Sequence, residues 1–194
     1  MPVPLKIVEA FVTRLLSEEL DEGYRYHNLE HTRRVVGSTQ ELLGYYNLEE
    51  SEQRALLMAA WLHDTGYIHG REGHEEESAR IAAKFLSEQG LDTATVERIC
   101  SLILATERYH QPENRMEEII RDADAAHLGM DTFKEISELL REELAVMGIA
   151  QYTPQEWRDL HVEIFRSEHR FYTAYAREHW QPGKDRNLQK LLDA

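Results

Sequence analysis

His63 and Asp64 stand side by side, directly after the apolar run Ala55–Leu62 and before a Thr-Gly break. Such a pair lies where a buried helix opens into a pocket, and a buried carboxylate needs a cation beside it because burying it alone is costly. A second cluster, YHNLEH from Tyr26 to His31, holds His27 and His31 at the i, i+4 spacing that puts two imidazoles on one face of a helix. The same face carries Val35, so two polar rings interrupt an apolar stripe. Metal ligation would explain this, and so would a pair of hydrogen-bonded core histidines. Asp122-Ala123-Asp124 adds carboxylates at the end of a further helical stretch. Asp124 follows Ile120 by one helical turn and shares its apolar face, whereas Asp122 should point to solvent. Imidazoles and carboxylates together suit a divalent first-row metal with coordination positions left for water or phosphate. Such a centre lowers the pKa of bound water to about 7 and neutralises charge on a phosphoryl group.

These residues need elements to position them, and helical periodicity dominates the chain. Leu5, Val8, Phe11/Val12 and Leu15/Leu16 mark a first helix ending near Asp21-Glu22-Gly23. Leu29, Val35/Val36, Thr39, Leu42/Leu43 and Tyr46 mark a second, starting around His27 or Asn28. A third runs from about Ser51 to Asp64 with Gly66 as its stop, followed by a loop from Thr65 to Gly73. A fourth carries Ser78, Ile81/Ala82 and Phe85 and closes at Gly90; Asp92 caps a fifth, and Met116, Ile119/Ile120 and Ala123 line a sixth. Thr132-x-x-Glu135 and Thr153-Pro154-x-Glu156 read as capping boxes opening a seventh helix to about Met147 and a long eighth through Tyr175. A short last helix follows Gly183. With no hairpin signal and no repeat, the expectation is an all-α single domain over 1–194, a bundle of about eight to ten helices. Its site-bearing core spans about 24–130, with the C-terminal helices 131–194 packed on it.

Bulk properties narrow the function. A chain of 194 residues with 42% hydrophobic and 30% charged residues is an ordinary globular composition. A formal charge of −14 argues against dedicated nucleic-acid binding but not against a small phosphorylated substrate, because a metal can reverse the local sign. No apolar run reaches bilayer length, and MPVPLKIVEAFVTRLL, with Glu9 and Arg14 inside it, does not read as a secretory signal. The single cysteine, Cys100, sits among Ile99, Leu102 and Ile103 as a structural thiol, so the expected setting is reducing and cytoplasmic. A homo-oligomer is permitted without being demanded.

The order His31, His63-Asp64, Asp124 resembles the H…HD…D signature of the HD-domain superfamily, an all-α family of metal-dependent phosphohydrolases. The resemblance runs from Tyr26 to Gly129 through YHNLEHTRRV, HDTGY, GHEEESA and RDADAAHLG. It implies that His31, His63, Asp64 and Asp124 hold a divalent ion (Mn, Mg, Fe, Co, Ni or Zn), with Asp64 bridging if a second one binds. The first motif also resembles the YHNxxHA element of the class I cyclic nucleotide phosphodiesterases, which implies that His27 is the general acid, or else the partner of a ligand. Thr32 stands where those enzymes have alanine, and the histidine-proline-glycine sequence after their HD pair is missing.

His74 and Glu77 sit in a segment like the HExxSA of small HD proteins. They could serve a second metal or its water, or lie in solvent at a helix start. His110 could reach a second metal from its loop. His127 is expected to pack or cap a helix end, and His69, His161, His169 and His179 to be surface or internally satisfied residues. Lys184, Arg186, Arg170, Arg33 and Arg34 are expected in solvated positions. The implied activity is hydrolysis of a phosphate ester or anhydride, of a nucleotide by preference, through metal-activated water. Two alternatives stay open, a di-iron oxygenase using His74 and His110, and a non-catalytic metal-containing ligand-binding module.

Overall fold

Helix α3 (Glu50–Leu62) has no polar face over its last two turns. Ala55, Leu56, Met58, Ala59, Ala60, Trp61 and Leu62 are all buried, the pattern of a helix enclosed on every side. The computed structural model describes residues 3–194; Met1 and Pro2, at the head of the MPVP stretch, lie outside them. The described chain is all-α, with ten α-helices and no strand, and forms two compact units. No described helix is long and apolar enough to cross a membrane.

The first unit contains the described residues up to Asp21 together with His27–Asp124. Around α3 pack α1 (Leu5–Glu19), α2 (Leu29–Tyr45), α4 (His74–Glu88), α5 (Thr93–Leu104) and α6 (Arg115–Asp124). The Asn28 side chain accepts from Glu30 N and His31 N and so starts α2, which leaves His27 outside the helix. The shared helical face expected for His27 and His31 is therefore not formed: His27 lies ahead of the helix and His31 in its first turn. The segment read as a loop after His63-Asp64 begins instead with a 3₁₀ turn, Thr65–His69.

Gly66 does not stop α3, which ends before it at Leu62. It lets two backbones meet, since a Cβ there would stand 2.2 Å from the His74 carbonyl oxygen and 2.8 Å from Ser78 N. Ser78 Oγ also accepts a 2.8 Å bond from Gly66 N, locking the turn to α4.

The second unit contains Glu22–Tyr26 and Ala125–Ala194. Its helices are α7 (Phe133–Val146), α8 (Pro154–Glu163), α9 (Ala174–His179) and α10 (Gln181–Leu192), around a core of Leu128, Phe133 and Phe165. The Thr153–Glu156 capping box forms, with Pro154 in the first turn. The Thr132 box does not: with φ −82° and ψ 7°, its backbone is turn-like rather than extended, and its hydroxyl makes no cap bond.

The long eighth helix is broken. After α8, a π turn over Ile164–Glu168 and an extended stretch lead to α9, whose N-cap is Thr173. Phe165 and Phe171 are both buried, yet one straight helix would set them about 120° apart. α10 begins ahead of Gly183, which lies within it; a Cβ at Gly183 would come 1.9 Å from the Gly129 carbonyl oxygen. Lys184 is buried rather than solvated and donates to the His169 carbonyl at 2.6 Å.

Candidate metal centre

Three helix ends in the first unit converge on one spot. His31 lies in the first turn of α2, His63 is the C-cap of α3 and Asp64 follows it, and Asp124 ends α6. The Thr65 hydroxyl donates to the Leu62 carbonyl at 2.8 Å, closing the helix end just beyond the pair. His31 and His63 are almost fully buried, as is Asp64, while the Asp124 side chain is 32% exposed and forms the open side.

The donor atoms crowd a common point. His31 Nε2 is 3.3 Å from His63 Nε2 and 3.2 Å from both Asp64 Oδ2 and Asp124 Oδ1. His63 Nε2 is 3.3 Å from Asp64 Oδ2 and 3.7 Å from Asp124 Oδ1. Among the described residues, His31, His63 and Asp124 form the one group of three or more whose ligand atoms could hold a metal ion. Asp64 meets both of its imidazoles.

Two observations test whether a metal fits. The His63 Nδ1–H donates to the Ala60 carbonyl at 2.9 Å, so its Nε2 turns a lone pair toward the cluster. Asp64 Oδ2 is buried and accepts no aligned hydrogen bond, although two ring nitrogens lie within 3.3 Å. Ligands about 2.1 Å from a shared ion stand roughly 3.0 Å apart at an octahedral edge and about 3.4 Å at a tetrahedral one. The observed spacings fall in and near that range, and the mixed nitrogen and oxygen set suits a divalent first-row ion.

Electrostatics agree. Burial disfavours a charged His63, yet the adjoining Asp64 and Asp124 carboxylates push its pKa up to about 9. Burial is likewise outweighed at His31, where Asp124 and Asp64 raise the pKa. Asp64 is held well below the usual carboxylate range against its own burial, by His63 and His31.

The remaining residues divide. His27 has its ring 5.8 Å from that of His31, at the border of the cluster. His74 comes near, with Nε2 3.7 Å from Asp64 Oδ1 and Nδ1 donating to the Arg71 carbonyl at 2.9 Å. Glu77 instead meets Arg80 Nε at 2.7 Å and His69 at 3.3 Å, around an open cleft of about 390 Å³. His110 Nε2 donates to Glu117 at 2.9 Å and joins no donor group. His127 packs edge-on against Tyr26, within the second unit.

Asp122 corrects an expectation. It is buried rather than turned to solvent, because α6 packs against α2, α3 and α5 and so has little free circumference. Sequence reasoning gave no role to Tyr67, whose buried ring touches both His27 and His74. The available signal was an aromatic residue placed directly after the glycine that follows the HD pair.

The family model described as HD domain matches residues 28–129, just over half of the chain. The chain belongs to the HD domain family. Comparison with curated proteins and with solved structures finds no match. HD domains form a superfamily of metal-dependent hydrolases that bind divalent ions. The matched stretch of this HD domain takes in His31, His63, Asp64 and Asp124, and His27 lies one residue ahead of it.

Proposed function

We propose that this HD domain hydrolyses a phosphate ester or anhydride, of a nucleotide by preference, in a cytoplasmic setting. In this reading one or two divalent ions (Mn, Mg, Fe, Co, Ni or Zn) are held by His31, His63, Asp64 and Asp124. The supporting observation is the convergence of two imidazole nitrogens and two carboxylates in a pocket where Asp64 Oδ2 accepts no hydrogen bond. When bound, such an ion supplies a Lewis acid for phosphoryl oxygens and a water acidic enough to attack near neutral pH.

The chain's own groups do the rest. Ala60 fixes the His63 tautomer through Nδ1. Asp64 and Asp124 supply negative charge that favours a cation over a neutral pocket. His27 donates a proton to the leaving oxygen, a task suited to an imidazole. The −14 charge favours a small substrate, because a long polyanion would be repelled.

The test is phosphate or nucleoside release from a nucleotide panel that includes cyclic mononucleotides, with each divalent metal in turn and an Asp64→Ala control. Turnover that needs metal and disappears in the variant supports the reading and identifies the substrate. A wild type that holds metal yet is as inert as the variant overturns it.

A further inference from the structure

We propose that Tyr67 is a positioning residue that seats the His27 imidazole for proton donation; this rests on the general-acid reading of His27. His27 precedes the N-cap of α2, so no helical register fixes its ring. What faces the ring is Tyr67, nearly parallel at 17° with the centres 4.3 Å apart. The same phenol ring meets His74 at 4.1 Å, and the two imidazoles stand 6.4 Å from each other, so both lean on Tyr67 in a bent array.

The seat itself is rigid. Tyr67 is 3% exposed and lies within the 3₁₀ turn, where its N–H bonds the Asp64 carbonyl and its carbonyl accepts from Gly70 N. One residue earlier, Gly66 is pinned by Ser78 and pressed against the His74 backbone. The Asp64 backbone that leads into the metal pocket thus also carries the surface under the proton donor. A general acid works only when its N–H lies on the line to the departing oxygen, and a misplacement of about 1 Å can cost on the order of 10²-fold in rate. A Tyr67 that merely filled the core would affect metal content and all substrates alike. A seat for the acid affects only reactions whose leaving group needs the proton.

The test compares a nucleoside 5′-monophosphate, whose alkoxide leaving group needs a proton, with p-nitrophenyl phosphate, whose leaving group does not. In the full chain, His27→Gln should lose about 100-fold in kcat on the nucleotide and Tyr67→Ala about 10-fold, with KM and bound metal near wild type. On p-nitrophenyl phosphate both losses should shrink to severalfold, and Tyr67→Phe, which keeps the ring, should recover the nucleotide rate. A second readout needs no turnover. The His27 ring protons, assigned by their disappearance in His27→Gln, should lie upfield in the wild type and in Tyr67→Phe and move downfield in Tyr67→Ala.

Equal losses on both substrates for His27→Gln would sink the general-acid reading, and this inference with it. If His27→Gln discriminates but Tyr67→Ala does not, or if Tyr67→Phe is as damaged as Tyr67→Ala, the inference alone is overturned. Unmoved His27 resonances in Tyr67→Ala overturn it as well. A wild type inert on both esters sinks the acid role, and this inference with it.

Discussion

Each unit buries histidine, and the two burials differ in how the polar atoms are satisfied. In the second unit, His161 Nδ1 donates to the Trp157 carbonyl at 2.9 Å. Its Nε2 faces the Ser137 hydroxyl at 3.2 Å, and that hydroxyl accepts from Trp157 Nε1 at 2.8 Å. The loop closes on itself and leaves neither ring nitrogen over. In the first unit, His31 and His63 direct Nε2 at each other and at two carboxylates, and Asp64 Oδ2 accepts no hydrogen bond. A buried polar group normally finds its partner. A cluster that brings donor atoms together without closing is therefore shaped for something that is not protein, whereas a closed one is architecture. Burial alone does not tell the two apart.

The largest effect should come from opening the unclosed cluster. In His63→Ala, metal content by elemental analysis should fall to background and turnover by at least ~10³-fold, since loss of an outer partner alone costs 10–100-fold. His161→Ala should do the reverse. It strips partners from Ser137 and Trp157 and leaves a cavity, so it should cost roughly 2–4 kcal/mol of stability in denaturant titration. Its metal content should match wild type. Metal loss in His161→Ala, or metal retention in His63→Ala, would break the contrast.

The closed network also predicts a pH dependence. Burial lowers the His161 pKa, with the Trp157 carbonyl and Glu138 opposing it only in part. Below the ordinary histidine value of about 6.5 the unfolded chain therefore binds a proton that the folded chain refuses, and stability falls as pH falls through that value. His161→Phe removes the group. The wild-type stability advantage over the variant, measured by denaturant titration from pH 7.5 to 5, should shrink with acid. An advantage that grows with acid would mean that His161 is charged in the fold and that its network is a different one.

How much of this was legible in the sequence follows the same division. The convergence of His31, His63, Asp64 and Asp124 on one spot was legible because their residue types and their HD-like order single them out together. The helices that carry them were legible from apolar periodicity. Tyr67 was not, since an aromatic ring next to a glycine reads as packing until its neighbours are known. Asp122 was misread because periodicity along one helix says nothing of how many neighbours surround it. His110 and Glu77 have the chemistry of ligands, but Glu117 and Arg80 with His69 meet them first. The long eighth helix failed for a related reason: Phe165 and Phe171 both continue the apolar pattern, and burying both required a break in the backbone.

The smallest effect sharpens the same distinction at two helix starts of the second unit. Thr132 and Thr153 both precede a glutamate by three residues and share the capping-box pattern, the second with Pro154 in addition. Thr153 has the extended backbone of an N-cap (φ −63°, ψ 158°), and its hydroxyl accepts from Glu156 N at 3.2 Å. At Thr132 the chain arrives through a turn in which Phe133 N already bonds the Met130 carbonyl. The backbone conformation that would aim the hydroxyl into the first turn is thereby excluded. Thr153→Ala should therefore cost about 1 kcal/mol, the usual worth of an N-cap, and Thr132→Ala no more than a few tenths of that. Denaturant titration of the two variants side by side measures the difference, and equal losses would mean that the Thr132 hydroxyl closes on a partner after all.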